Sequence, residues 1–410
     1  MRDGMGSGRH PGRIVAVTGI AVAGTAVALG IAGGVLATVM ARRIVTPGGR
    51  RTDDVRVKGV DLVAGTITLA CTADSVLQGD YSFWFSQDRG HAHLGEVLRL
   101  TPTRVTRRIL RVDHGDLALA ERGRLGGYSY LGPWDLGLAF EDVLVPTDVG
   151  AAPAWLVPAE EPDGRWVLQV HGRGVQRQET LRATPVFRDA GFTSLLVSYR
   201  NDGEAPMSGG GRYALGDAEW LDVDAAIAFA VARGATEIVL MGWSMGGAIV
   251  LQTATRSMLR DRIVGIVLDS PVLDWADVAK FHGGLLGLPA VVARGALEVL
   301  GRRWGGIFTG RTEPIDFGRL DFVTRAAELE LPVLLMHSDD DGFVPATGSR
   351  ALAGRRPDIV TFLPFAVARH TKLWNYDREG WNQAITNWLD EIAPTGRTPH
   401  PDRPVAAAAD

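Results

Sequence analysis

One cysteine, Cys71, stands in 410 residues, so no intrachain disulfide can staple the fold, and the count fits either side of a membrane. Lysine is nearly as scarce, with Lys58, Lys280 and Lys372 the only three. Excess positive charge is also missing: 43 Lys+Arg against 47 Asp+Glu give a formal charge of -4. That balance disfavours a nucleic-acid binder whose affinity would come from neutralising phosphates. There is no H-E-x-x-H and no His/Asp cluster of ligand spacing, so the sequence implies no metal, no cofactor and no metallohydrolase. What remains is a chain 46% hydrophobic and 22% charged, which excludes disorder as a whole-chain description and is long enough for more than one domain. The bias toward Arg, Ala and Gly fits a GC-rich bacterial gene and says nothing of function.

Ile14 to Met40 is a run without a charged side chain, bracketed by Arg9 and Arg13 before it and Arg42 and Arg43 after it. That length spans a bilayer. A cleaved signal peptide is the competing reading, but its apolar stretch would be about 7–15 residues. The expectation is therefore a short tail over 1–13, a single transmembrane helix over 14–40 and a single-pass membrane protein. Arg2, Arg9 and Arg13 on one flank are matched by Arg42, Arg43, Arg50 and Arg51 on the other, so flanking charge gives no orientation.

Beyond a Pro/Gly/Arg linker, residues 55–139 read as a small, mainly β accessory region. Val55–Val60, Thr66–Ala70 and Tyr81–Phe85 are rich in β-branched or aromatic residues, and Gly65, Gly79 and Gly90 stand between or just after them. From 140 to 393 apolar strands alternate with helix-length amphipathic segments, the pattern of a mostly parallel sheet with helices on both faces. Eight strands are expected, at 140–146, 153–158, 166–171, 193–199, 237–243, 263–269, 331–337 and 359–365. Residues 272–330 read as an inserted helical cap, with Trp275, Phe281, Leu285, Leu286, Leu288, Leu297, Leu300 and Trp304 as core or substrate-lining positions. Residues 394–410, rich in Pro and Ala, are expected to be a disordered tail.

The chemistry starts at Gly242-Trp243-Ser244-Met245-Gly246, where a buried strand runs into a helical stretch. This is a nucleophile elbow: the sharp turn strains the serine, and side chains two positions before or after it would collide with backbone. The motif alone is weak, and its place between strand and helix makes it specific. A serine needs a base, and the base needs an orienting acid. The strand ending at His337 leads into Ser338-Asp339-Asp340-Asp341, and the strand ending at Phe365 leads to Ala368-Arg369-His370, giving the order Ser, acid, His on loops at strand ends. The bland alternative is a solvated acidic turn and a surface histidine. Asp269, after another strand, is a second candidate acid. Trp166–His171 followed by Gly172-Arg173-Gly174 supplies a Gly-rich loop for oxyanion binding, and the backbone N–H groups of Arg173 and Met245 are the expected donors. His171 reads as a structural loop residue, the Arg173 side chain as a loop charge, and Asp202, Asp217, Glu219 and Asp222 as helix-start charges.

With these motifs residues 140–393 resemble the α/β-hydrolase superfamily, close to its serine aminopeptidase-like and monoacylglycerol-lipase-like branches. The family's Asp-x-x-Val-Pro pattern falls on Asp341, which the resemblance makes the acid of a triad Ser244, Asp341, His370. The family usually has Gly before the histidine, where this chain has Arg369. The resemblance implies a membrane-tethered serine hydrolase cleaving an ester, thioester or amide, with a carboxylesterase or lipase-like activity first and an aminopeptidase-like peptidase or an inactive binding module as alternatives. The expected partner is a small or lipid-like ester whose acyl chain lies under the apolar cap, with activity rising as that chain lengthens.

Overall fold

The structure, a computed structural model, describes residues 30–49 and 51–392. Helix α1, residues 30–45, leads into six strands: β1 (Val55–Asp61), β2 (Thr66–Ala70), β3 (Tyr81–Phe85), β4 (Gly90–Leu100), β5 (Arg104–His114) and β6 (Arg122–Gly126). These close into a barrel in the order β1-β2-β5-β4-β3-β6. Alternation places Ile67 and Leu69, Phe83 and Phe85, and Ala92 and Leu94 in its core. Arg107 is also fully buried, and its guanidinium donates to the carbonyls of Gly95, Ser75, Leu77 and Gly79, an ion made tolerable by saturating its donors. The β character expected for 55–139 is present; its closure into a barrel was not legible, because β4, β5 and β6 carry Arg and His on the outer face and break the apolar alternation.

The eight expected strands are all observed: β7 (Glu141–Thr147), β8 (Gly150–Val157), β9 (Arg165–Val170), β10 (Thr193–Val197), β11 (Glu237–Trp243), β12 (Ile263–Asp269), β13 (Val333–Ser338) and β14 (Val360–Phe365). They form one sheet in the order β14-β13-β12-β11-β9-β10-β8-β7, parallel from β14 to β10 and antiparallel at β8 and β7. Its helices are α2 (Thr184–Asp189), α3 (Trp220–Ala232), α4 (Met245–Arg256), α5 (Trp275–Leu285), α6 (Ala290–Leu300), α7 (Gly306–Thr309), α8 (Thr347–Arg355), α9 (Leu373–Tyr376) and α10 (Arg378–Ile392). One core holds α3, α4, the cap helices α5 and α6 and one face of the sheet, and the other holds α2, α9, α10 and the opposite face, with Trp381 and Trp388 at its centre. Burial on both sides is why the central strands are apolar runs without alternation.

Only the end of the expected membrane span falls among the described residues. Residues 14–29 lie outside the described residues, and among the described ones no helix is long and apolar enough to cross a membrane. The part of the apolar run that is described forms the start of α1, which continues to residue 45 and buries Ala37, Met40, Ala41 and Val45 against the hydrophobic core of the sheet. Within the expected span Ala37 and Met40 thus pack on protein, while Ile31, Val35, Leu36 and Val39 stay exposed. The tail 394–410 also lies outside the described residues.

Candidate active site

The elbow forms as the glycines require. Ser244 has φ 51° and ψ −117° between β11 and α4, a strained conformation for a residue with a side chain. A Cβ on Gly242 would lie 2.4 Å from the Gly246 carbonyl oxygen, and one on Gly246 would lie 2.2 Å from that of Val170. His370 Nε2 is 3.0 Å from Ser244 Oγ, and its Nδ1 is 2.7 Å from Asp341 Oδ2. The other Asp341 oxygen accepts the backbone N–H groups of Phe343 and Val344, each at 2.8 Å. Burial raises the Asp341 pKa, but the His370 and His337 side chains outweigh it and hold the carboxyl well below the usual range. Asp341 is therefore an anion poised to orient an imidazole.

The three consecutive aspartates have three fates. Asp339 is on the surface and pairs with Arg350. Asp340 accepts from Ser338 Oγ at 2.7 Å and from the Arg369 N–H at 3.0 Å, pinning the loop that carries His370. Asp269 is fully buried and accepts from Ser270 Oγ and Trp381 Nε1, at 2.9 and 3.0 Å, so it is engaged away from the imidazole. Arg369, the departure from the family's glycine, sits at φ 62°, where glycine is favoured, yet the histidine loop still closes.

The Gly-rich loop is clamped from several sides. Gly172 donates its N–H to Glu179 Oε2 at 2.9 Å, and Tyr199 Oη donates to the Gly172 carbonyl at 2.8 Å. His171 is buried, stacked on Tyr199 and 3.2 Å from Asp202, in keeping with a structural role. The Arg173 side chain is not a loose loop charge: it donates to the carbonyls of Arg43, Ile44 and Thr46 at 2.8–2.9 Å, capping the last turn of α1. Of the acids read as helix-start charges, Glu219 is the N-cap of α3 and Asp222 lies in its first turn, and both also bond outside the helix. Glu219 accepts the loop N–H groups of Ala214 and Gly216, and Asp222 takes the Arg200 guanidinium, so both brace loops. Met245 opens α4, where a first-turn N–H has no intrahelical partner, and Arg173 lines the same cavity as Ser244.

That cavity measures about 430 Å³, and its walls are not those expected. No residue of the cap lines it; Leu125–Tyr128 at the end of β6, Asp74 of the barrel and Gly48, Gly49 and Arg51 of the linker do, beside Ser244 and His370. The cap reaches the site through His282, whose ring contacts Phe343, which in turn flanks His370, and at its first residue, where the Val272 N–H donates to the Ser244 carbonyl at 3.0 Å. Trp275 and Leu300 are core residues, whereas Leu285, Leu286 and Trp304 are exposed. The acyl pocket under an apolar cap is thus replaced by a wall bearing Arg51, Lys372, Arg369 and Asp74, with Lys372 Nζ 2.8 Å from Asp74. Sequence reading missed these because strands some 100 residues before the elbow give no local signal of facing it.

An alpha/beta hydrolase family model matches residues 167–409, more than half of the chain. The chain belongs to the alpha/beta hydrolase family. Residues 56–126 of this hydrolase match a domain of unknown function, DUF8805, which coincides with the barrel. Among solved structures it is similar to the esterase Pf2001 of Pyrococcus furiosus, at 18% identity and TM-score 0.49, over 64% of this chain and 95% of that one. It is also similar to Est1E of Butyrivibrio proteoclasticus (18%, TM-score 0.45, 61% and 98%) and to a thermophilic esterase of Thermogutta terrifontis (20%, TM-score 0.44, 62% and 99%). No curated protein matches the chain.

Proposed function

We propose that this hydrolase cleaves a carboxylic ester through an acyl-enzyme on Ser244. His370 takes the Ser244 proton and later returns it to the leaving alkoxide. Asp341 fixes the imidazole tautomer and stabilises the cation that forms, and the Arg173 and Met245 amides hold the oxyanion. The observation that carries this reading is the continuous contact Asp341–His370–Ser244 at 2.7 and 3.0 Å, opening on a cavity. The charged wall favours short or polar acyl groups over long apolar ones. A fluorophosphonate probe should label Ser244 alone, and p-nitrophenyl esters should outrun aminoacyl-anilides, with kcat/KM falling beyond short acyl chains. Faster anilide cleavage would move the activity to the peptidase branch.

Membrane attachment belongs to the same proposal. Ile31, Val35, Leu36 and Val39 leave an exposed apolar face on α1, and residues 14–29 before it carry no charge. With the buried turns set aside, residues 14–36 still exceed the ~20 apolar residues of a bilayer span. Retention in the membrane fraction after carbonate washing supports the anchor, and release into the wash overturns it.

A further inference from the structure

The barrel carries a second cluster of titratable side chains, remote in sequence from the triad. His91 and His93 alternate on the outer face of β4, and Asp113 comes from β5. The β4–β5 register passes from His91↔His114 to Ala92↔Val112, which leaves Asp113 as the extra residue of a β-bulge. That bulge aims its carboxylate at both rings: Asp113 Oδ2 is 2.5 Å from His91 Nδ1 and 2.9 Å from His93 Nε2. All three atoms lie within 4.8 Å of one another. His91 is fully buried, whereas Asp113 and His93 keep 15% and 13% of their side-chain surface, which provides a way in.

Counting protons shows what the cluster needs. Ser82 Oγ donates to the Tyr128 carbonyl and has no second proton, so its contact with His91 Nε2, at 2.9 Å, requires the imidazole to be the donor there. A neutral His91 protonated at Nε2 turns the Nδ1 lone pair onto a carboxylate oxygen at 2.5 Å. Two acceptors cannot sit so close without a cation between them. A proton would do, at the cost of a charged ring with no exposure to water, beside the Arg111 guanidinium that holds the other Asp113 oxygen at 2.6 Å.

We propose that His91, His93 and Asp113 bind one divalent first-row cation, Zn²⁺ being the best match to two imidazoles and one carboxylate with a fourth position for water. The surrounding bonds are those of a metal centre: the non-ligating nitrogen of His91 donates to Ser82, and Arg111 orients the carboxylate from its far oxygen. An ion with bonds of 2.0–2.1 Å sets its ligand atoms about 3.3 Å apart, so Nδ1 and Oδ2 open by roughly 0.8 Å, a small side-chain adjustment. The ion would act on structure. Through Ser82 it braces the Tyr128 carbonyl, and Tyr128 forms part of the wall of the catalytic cavity.

The site does not depend on the esterase reading, and Ser244→Ala should bind metal as the parent does. The test is calorimetric titration of Zn²⁺ into the full-length hydrolase after EDTA treatment and desalting. One ion per chain is expected, with a melting temperature that climbs with free Zn²⁺. His93→Gln and Asp113→Asn, both at partly exposed positions, should each weaken binding at least 10-fold while melting cooperatively without metal. Co²⁺ should give the intense visible absorption of a four-coordinate site, lost in the same variants. No stoichiometric binding, or binding that both variants retain, overturns the proposal. A ¹⁵N spectrum with both His91 ring nitrogens protonated in the presence of Zn²⁺ also overturns it, and names a proton as the occupant.

Discussion

Asp–His–Ser contacts recur among the described residues, and one in the sheet and one in the barrel compare most directly, only the first of them being the candidate catalytic site. In the sheet, Asp341 meets His370 and His370 meets Ser244 at 2.7 and 3.0 Å; in the barrel, Asp113 meets His91 and His91 meets Ser82 at 2.5 and 2.9 Å. The residue types and distances barely differ. What differs is the serine. Ser244 sits on a strained turn at a cavity, while Ser82 has no exposed surface and spends its proton on the Tyr128 carbonyl. A hydroxyl that already donates to a carbonyl has no proton to give the imidazole, and a buried oxygen cannot reach a substrate. Residue identity and spacing therefore do not define a nucleophile; the direction of the hydroxyl proton and access to a cavity do.

Replacing each serine breaks the comparison most sharply. Ser244→Ala should lower ester turnover by roughly 10⁴–10⁶-fold and abolish fluorophosphonate labelling, with little change in melting temperature. Ser82→Ala should leave labelling intact but destabilise by about 1–3 kcal/mol in urea unfolding, because a buried carbonyl loses its donor. Labelling lost in Ser82→Ala, or retained in Ser244→Ala, would reverse the roles assigned here.

The acids come next. Asp341→Asn should cost roughly 10³–10⁴ in kcat. Asp340→Asn should cost about 10-fold by loosening the His370 loop, the equivalent of one hydrogen bond, and Asp339→Asn nothing measurable. The sign of the pH effect follows from the depressed Asp341 pKa. Its stabilising contribution is complete above the unfolded value near ~3.9, declines as the pH falls below that, and is lost only on passing the lower folded value. Urea unfolding between pH 6 and 3 should therefore show a shallower decline for Asp341→Asn than for the parent.

These predictions mark where the sequence was legible. The strands of the sheet announced themselves because burial on both faces demands apolar runs, and the elbow because its glycines answer to collisions within a few residues. Asp341 was separable from its neighbours through the Val344-Pro345 pattern. The cavity walls were not legible, because Gly48, Tyr128 and Asp74 reach Ser244 only through long-range packing. Nor was the His91–His93–Asp113 cluster, which a bulge on the partner strand completes. The apolar run at 14–40 was legible as apolar but not as to what covers each face, because periodicity cannot tell a face that meets lipid from one that, like Ala37 and Met40, meets the core.

A smaller effect is expected at the seam between α1 and the Gly-rich loop. Arg173→Ala removes three charge-assisted bonds to the end of α1 while leaving the Arg173 backbone N–H in place. The expected loss is about 1.5–3 kcal/mol of stability, seen as faster proteolysis after Arg42 or Arg43, with kcat lowered only a few fold. Removing residues 1–54 should do more than take away the proposed anchor, since Gly48, Gly49 and Arg51 line the cavity; KM for soluble esters should rise as well.

The smallest effect is expected at Arg369, where two substitutions separate strain from contact. At φ 62° a residue with a Cβ pays about 1–2 kcal/mol relative to glycine. Against this, the Arg369 side chain donates to the Asp340 carbonyl at 3.0 Å and lies 3.5 Å from Asp74, contacts worth about 1 kcal/mol together at a partly exposed site. Arg369→Gly loses the contacts and sheds the strain, so its stability should stay within about 1 kcal/mol of the parent. Arg369→Ala loses the same contacts and keeps the strain, so it should fall below Arg369→Gly by about 1 kcal/mol. Equal stabilities for the two variants in urea unfolding would mean that the left-handed turn before His370 costs nothing, and that the family's glycine stands there for access to the imidazole instead of for backbone freedom.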